Sequence, residues 1–249
     1  MLPASGPGQA LAIAERLDTL TGIFAIGQTP TGDKDPFGLR RSALGLLRIL
    51  IEKQLDLDLT RLIDTAAQLL PAEVQAEAIT EDLFSFMMER LRAYYLDAGY
   101  DNHIFAAVLA RQPARPLDFD QRIRAVRAFG ELAEAESLAA ANKRIRNILR
   151  KAETEIPASC QQQLLQEPAE QALATAVNAL QTAVEPLFQQ RRYTEALREL
   201  AALQAPVDAF FDQVMVMADD DRLRDNQLAL LHSLSRLFLQ VADISLLQK

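Results

Sequence analysis

Apolar residues recur at spacings of three and four along almost the whole chain, which is the pattern of helices that bury one face. Only 9 of the 249 residues are Gly, and Ala, Leu, Glu, Gln and Arg, which favour helix, are abundant. The one run with β character, residues 22–27, follows a helical pattern from Ala10 to Leu20 and is interpreted as a helix end or a buried connector. The sequence therefore predicts an all-α fold of helical bundles.

Breaks rich in Pro, Gly or Asn divide this helical pattern. They fall at residues 29–36, 70–71, 99–102, 112–116 and 156–157. The pair Pro113 and Pro116 marks the strongest boundary inside the chain, and the helical pattern resumes at Phe119. We therefore expect a separate helical bundle after this boundary.

The helix after the first break has two distinct faces. Asp35 suits the N-cap and Pro36 the first helical position, which predicts a helix from Pro36 to about Lys53. Its apolar stripe contains Phe37, Leu44, Leu47 and Ile51. A second face carries Arg41, Gly45 and Arg48, and it is either solvated or a docking surface.

The last two helices are predicted to pack as an antiparallel hairpin, because each carries one apolar stripe. The stripes are Val207, Phe210, Phe211, Val214 and Met217, and Leu223, Leu230, Leu234, Leu237 and Val241. Between them, Asp219 to Asp221 either bind a divalent cation or cap a helix that opens at Arg222. The cap is the simpler interpretation, since hard cations need more oxygen ligands than this turn offers.

Charge is unevenly distributed along the chain. Lys and Arg number 26 against 34 Asp and Glu, for a net charge of −8, so an anionic partner must be met by a local basic surface. Residues 111–151 provide one, with 10 Lys and Arg against 5 Asp and Glu. This stretch is the best candidate for a nucleic-acid contact.

The basic stretch ends in a helix with a purely cationic face. At about 100° per residue, one arc contains Lys143, Arg144, Arg146, Asn147, Arg150 and Lys151. The opposite arc contains Leu138, Ala141, Ile145, Ile148 and Leu149. Lys and Arg suit phosphate contacts and Asn suits a base or ribose, whereas a solvated helix face is the alternative. A second, weaker row of RNA contacts is predicted at Arg122, Arg124 and Arg127.

Candidate catalytic chemistry is sparse. The single cysteine, Cys160, and the two histidines, His103 and His232, exclude an intrachain disulfide and a structural zinc site. Phosphate-binding loops and nucleophile elbows are missing, and both histidines are interpreted as structural. No catalytic residue and no metal ligand is predicted. A basic leader and apolar runs of 18 residues are also missing, so we expect no membrane partner and a cytoplasmic location.

Several blocks together resemble the β subunit of the bacterial heterotetrameric glycyl-tRNA synthetase. They are AERLDTLTGIFAIGQ at 14–28, PTGDKDPFGLRRSALG at 30–45, ANKRIRNIL at 141–149, and VDAFFDQVMVMA at 207–218 with VADIS at 241–245. The blocks span nearly the whole chain in the family's order. The resemblance implies a C-terminal piece of that longer subunit.

The resemblance also implies domains and a role. Residues 1–60 are expected to form the end of an HD-like helical domain, and residues 61–115 a helical connecting region. Residues 116–249 are expected to form a DALR-type anticodon-binding bundle. In that family the β subunit binds the tRNA, while the α subunit carries the class II site that activates glycine with ATP and Mg²⁺. This piece is then expected to bind glycine tRNA and the α subunit, with no cofactor and no catalysis of its own.

Two departures from the family pattern limit what is transferred. Asp18 matches the last acidic position of the HD pattern, but the earlier His and the His-Asp pair are missing, which argues against an HD metal site and an independent phosphohydrolase. Glu195-Ala-Leu-Arg198 is only near the DALR tetrapeptide and receives no role. The alternative function is a helical scaffold for subunit assembly, docking through the face of Arg41, Gly45 and Arg48.

Overall fold

The computed structural model describes residues 2–71, 79–152, 155–216 and 220–248. Within these ranges the chain forms helices and no strand, apart from an isolated bridge between Thr31 and Lys34. The all-α prediction is therefore confirmed. The chain divides into two compact units, 1–102 with 113–120, and 103–112 with 121–249.

Among its described residues, the first unit contains four complete helices: α1 Gly6–Ala25, α2 Leu39–Glu52, α3 Leu59–Ala67 and α4 Ile79–Asp97. Helix α1 contacts the other three, and α4 also packs against α2 and α3. The core contains fully buried Leu20, Leu46, Leu50, Ile63, Leu83 and Leu91. The run at residues 22–27 is the end of α1, as the helix-end interpretation requires.

Helix α2 begins three residues later than predicted. Both side-chain oxygens of Asp35 accept backbone N–H groups, from Leu39 at 2.8 Å and Arg40 at 3.0 Å. Asp35 thus does pair the first free N–H groups of the helix, as an N-cap would. It does so from a turn that ends at Gly38, whose φ of 66° is left-handed. Because Pro36 and Phe37 lie in that turn, the predicted stripe loses its first member, and Phe37 is exposed.

The second unit contains the remaining helices. They are α5 Asn102–Leu109, α6 Pro116–Gly130, α7 Ala135–Arg150, α8 Pro168–Gln189, α9 Tyr193–Leu200, α10 Gln204–Gln213 and α11 Asp221–Leu239, with short 3-10 turns at Gln162–Leu164, Ala201–Leu203 and Ile244–Leu246. Helices α5 and α6 each begin in residues of the first unit. The breaks at residues 99–102 and 112–116 separate helices as predicted, but α6 begins at Pro116, three residues before the predicted Phe119.

The predicted hairpin of the last two helices is wrong. Helix α10 packs against α7 and α8, and α11 also packs against α7 and α8. The described members of the two stripes are buried or half-buried, with Phe210 and Leu234 fully enclosed. Spacing identified the buried faces correctly, but it carried no information about which helix covers them.

Asp220 caps α11, which confirms the cap interpretation for that residue. Its carboxylate accepts the N–H groups of Arg222 at 2.8 Å and Leu223 at 3.3 Å. Asp221 pairs with Arg224 at 2.6 Å, whereas Asp219 and Met217 lie outside the described residues.

Candidate nucleic-acid interface

Helix α7 separates a buried face from an exposed basic face. Leu138, Ala141 and Ile145 are buried, which fixes the helix against α10, α11 and the turn at Ile244–Leu246. All six polar residues of the predicted face are exposed: Lys143, Arg144, Arg146, Asn147, Arg150 and Lys151. The amphipathic pattern is therefore confirmed as a structural arrangement.

Four of these six side chains line one shallow concavity of ≈ 340 Å³. They are Lys143, Arg144, Asn147 and Lys151, joined by Gln248 near the end of the chain. No carboxylate is among the described residues that line it. Three cations and two amides thus border one open depression, which is the composition that phosphate and base or ribose contacts require.

Arg144 is held in place by an aromatic ring. Its guanidinium carbon lies 4.1 Å from the centroid of Phe211 on α10. The two helices are tied nearby, where Ser137 Oγ donates to Asp208 Oδ1 at 2.8 Å. A guanidinium stacked on a ring keeps its edge available for hydrogen bonds. Phe211 was predicted only as part of an apolar stripe, and no local signal in the sequence linked it to Arg144.

Arg146 points to a different neighbour. Its Nη1 donates to Asp243 Oδ2 at 2.9 Å and to Ser245 Oγ at 3.2 Å. The Arg146 side chain is still 58% exposed. The six residues are therefore not equivalent, because Arg146 faces the carboxylate beyond α11 and the concavity contains none.

The predicted second row does not form one surface. Arg122 donates from Nη1 to the carbonyls of Gln240 and Val241 at 2.6 and 2.8 Å, and from Nη2 to Tyr193 Oη at 3.0 Å. Arg124 and Arg127 are exposed, and at 100° per residue they lie close together on the opposite side of α6 from Arg122. The single row is corrected, and Arg122 is a structural clamp of the second unit.

The predicted docking face of α2 is filled from within the chain. A Cβ built on Gly45 would lie 3.0 Å from Nε of Arg16 on α1. The missing side chain therefore makes room for the Arg16 side chain over Gly45, and this side chain occupies the middle of the predicted docking face. Arg41 and Arg48 flank this contact and are exposed.

The remaining singled-out residues are dispersed. His103 is exposed at the start of α5, and Asp18 is exposed on α1. His232 is half-buried on α11 and lines a cavity beside α7. Glu195 pairs with Arg192, which lowers the pKa of the Glu195 carboxyl through a hydrogen bond. Burial raises the pKa of the half-buried Cys160 thiol, which makes it a poor nucleophile.

Two family models match the chain. Residues 1–110 match the glycyl-tRNA synthetase beta subunit, and residues 138–247 match the DALR anticodon binding domain. The second match contains the whole basic face of α7. The glycine–tRNA ligase beta subunit of Vibrio atlanticus (strain LGP32) is 55% identical over 248 residues, a match that takes in 100% of this chain and 36% of that protein. The chain belongs to the glycyl-tRNA synthetase beta-subunit family.

Other beta subunits of this family match over the same extent. The glycine–tRNA ligase beta subunit of Aeromonas salmonicida (strain A449) is 54% identical over 99% of this chain and 36% of its own length. That of Sodalis glossinidius (strain morsitans) is 53% identical over the same shares. The chain therefore spans 36% of the length of these relatives.

The described residues offer neither a metal cluster nor a membrane span. Across the described ranges, His, Cys, Asp and Glu side chains nowhere gather in threes around a position that an ion could fill. Among the helices described, each is too short or too polar to cross a bilayer.

Proposed function

We propose that this chain is the tRNA-binding, anticodon-recognising part of a glycine–tRNA ligase beta subunit, and that the basic face of α7 is the surface that holds the tRNA. One observation carries the proposal. The concavity of Lys143, Arg144, Asn147 and Lys151 is bordered by cations and amides without a carboxylate, and it lies inside the segment that matches an anticodon binding domain.

The basic residues serve as phosphate contacts in this proposal. Lys143, Arg144, Arg150 and Lys151 neutralise backbone phosphates, and each contact releases condensed counterions. Among them, the guanidinium of Arg144 stacks on the ring of Phe211, which restrains it. The Nη1 of Arg146 already donates to Asp243 and Ser245. Arg146 therefore contributes through its other guanidinium nitrogens.

Asn147 supplies the group that distinguishes one nucleotide from another. Its amide presents both a donor and an acceptor, and it lies between the cations of the concavity. Single-stranded loops expose base edges that such a group can read. Asn147 is therefore assigned to a base or ribose of the anticodon loop.

The proposal also gives the chain its partners. Glycine activation, with ATP and Mg²⁺, is assigned to the active site of an α subunit, and the present chain contributes tRNA affinity in the cytoplasm. Residues 1–60, 61–115 and 116–249 are proposed as the end of an HD-like domain, a connecting region and the anticodon-binding bundle.

Binding of the chain to a glycine tRNA transcript tests the proposal. The comparison transcripts are the same tRNA with an altered anticodon and an unrelated tRNA, each over a range of salt concentrations. The proposal predicts tighter binding of the native anticodon, together with affinity that falls steeply with salt. Equal affinity for all three transcripts contradicts anticodon recognition, and no binding at low salt contradicts the whole proposal.

A further inference from the structure

A second cavity lies on another side of α7, within the second unit. It has a volume of ≈ 280 Å³, close to the lower end of the range for ligand pockets at about 300 Å³. Helix α7 supplies Asn142 and Arg146, α11 supplies His232 and Phe238, and the segments after α5 and α11 supply Arg111 and Asp243. Together with Ser235, six polar side chains thus converge on one small space.

Cationic groups outnumber the acid in this cavity. Arg111 and Arg146 line its wall, against the single carboxylate of Asp243. Asp243 is already engaged, since it accepts hydrogen bonds from Arg146 Nη1, from the Ser245 N–H and from Ser245 Oγ. Arg111 is exposed and forms no side-chain hydrogen bond or ion pair to another described residue. The guanidinium of Arg111 can therefore donate hydrogen bonds to a bound anion.

The rest of the lining suits the organic part of a ligand. His232 is half-buried, and its imidazole has no hydrogen-bond partner among the described side chains and backbone. Asn142 is buried and oriented by donation of its Nδ2 to the Leu138 carbonyl at 2.9 Å. An amide and an imidazole above an apolar floor can receive a base or a ribose, while guanidiniums receive the phosphate.

We propose that this cavity binds one ribonucleotide, with its phosphate at Arg111 and Arg146 and its base or ribose beside His232 and Asn142. The inference rests on the proposed function for one point only, namely that a bound RNA strand is the source of the nucleotide. Arg146 would then lie between the two binding regions, next to the concavity on one side and in the cavity on the other.

The two histidines make this cavity directly observable. In a chain labelled only at histidine, NMR gives one imidazole signal from His232 in the cavity and one from His103, which does not line it. Titration with a ribonucleoside 5′-monophosphate at constant pH is predicted to shift the His232 signal saturably and to leave His103 in place. Inorganic phosphate and the phosphate-free ribonucleoside are each predicted to bind at least about tenfold more weakly, because each lacks half of the contacts.

Two variants locate the site. Arg111→Ala is predicted to weaken nucleotide binding about tenfold, and Arg111→Lys to weaken it less. Arg236→Ala is the matched control, because Arg236 is exposed one turn further along α11 and does not line this cavity. Absence of any His232 shift, an equal response to inorganic phosphate alone, or an equal loss in the control variant overturns the assignment.

The source of the nucleotide is tested with the glycine tRNA transcript. Arg111→Ala is predicted to lower tRNA affinity several-fold, and unchanged tRNA affinity overturns an RNA strand as the source. Nucleotide binding at His232 by a chain that binds no tRNA contradicts the proposed function and leaves the cavity assignment in place. Binding of tRNA without any nucleotide response contradicts the cavity assignment alone.

Discussion

Helices α2 and α7 both carry basic residues at helical spacing, but they differ in where acids lie. On the described face of α7 only Arg146 pairs with an acid, Asp243. On α2, Arg48 Nε donates to Glu52 Oε1 at 2.6 Å, and this hydrogen bond raises the pKa of Arg48. Arg16, which fills the space over Gly45, lies 3.4 Å from Glu15. On α7, the concavity has no carboxylate in its described lining. Spacing thus predicts a basic face, whereas acids within a turn decide whether it can attract an anion.

The largest expected effect separates these two faces. Lys143→Glu with Arg150→Glu on α7 is predicted to weaken glycine tRNA binding about a hundredfold, since two charged phosphate contacts are reversed. Arg41→Glu with Arg48→Glu on α2 is the matched control and is predicted to change the Kd by less than about threefold. Equal losses in the two double variants, measured by fluorescence anisotropy, would contradict the distinction.

A second prediction concerns a basic residue that the structure assigns to stability. Arg122→Ala is predicted to lower the free energy of unfolding by about 2 kcal/mol, because it removes three hydrogen bonds and a guanidinium 4.5 Å from the Tyr193 ring. Urea denaturation measures the change. Arg150→Ala on the exposed face of α7 is predicted to stay within about 0.5 kcal/mol. An unfolding free energy equal in the two variants would refute the clamp.

The aromatic support of Arg144 gives a smaller effect on binding. Phe211→Leu keeps apolar volume but removes the ring, and it is predicted to lower tRNA affinity about fivefold through loss of the cation–π contact. Phe211→Tyr retains the ring and is predicted to bind within about twofold of the original chain. If both variants bind equally well, the ring does not order Arg144.

The smallest effect tests the close contact on α2. Gly45→Ala is predicted to raise the free energy of unfolding by about 0.5 kcal/mol, since Gly is unfavourable in a helix interior. The Arg16 side chain is 30% exposed and can shift to accept the new Cβ. Gly45→Leu, which needs far more room, is predicted to destabilise the chain. A loss of stability in Gly45→Ala, measured by thermal unfolding, would show that Arg16 is fixed.

The sequence predicted the helices and their buried faces more reliably than the tertiary contacts between side chains of different helices. The α7 pattern correctly separated Ile145 from Asn147, because that separation depends on the helical period alone. Two contacts depend instead on tertiary packing between residues far apart in the chain: Phe211 with Arg144, and Asp243 with Arg146. The sequence grouped Arg122 with Arg124 for their basic character, although at 200° apart on a helix they face different surroundings.

The salt dependence of glycine tRNA binding tests the role of α7 most directly. The measurement compares the original chain with Arg150→Gln, plotting log K against log salt concentration for each. Loss of one phosphate contact predicts a slope that is shallower by about 0.7 on single-stranded RNA, with weaker binding at low salt. Identical slopes and affinities for the two chains would contradict the assignment of this face to RNA.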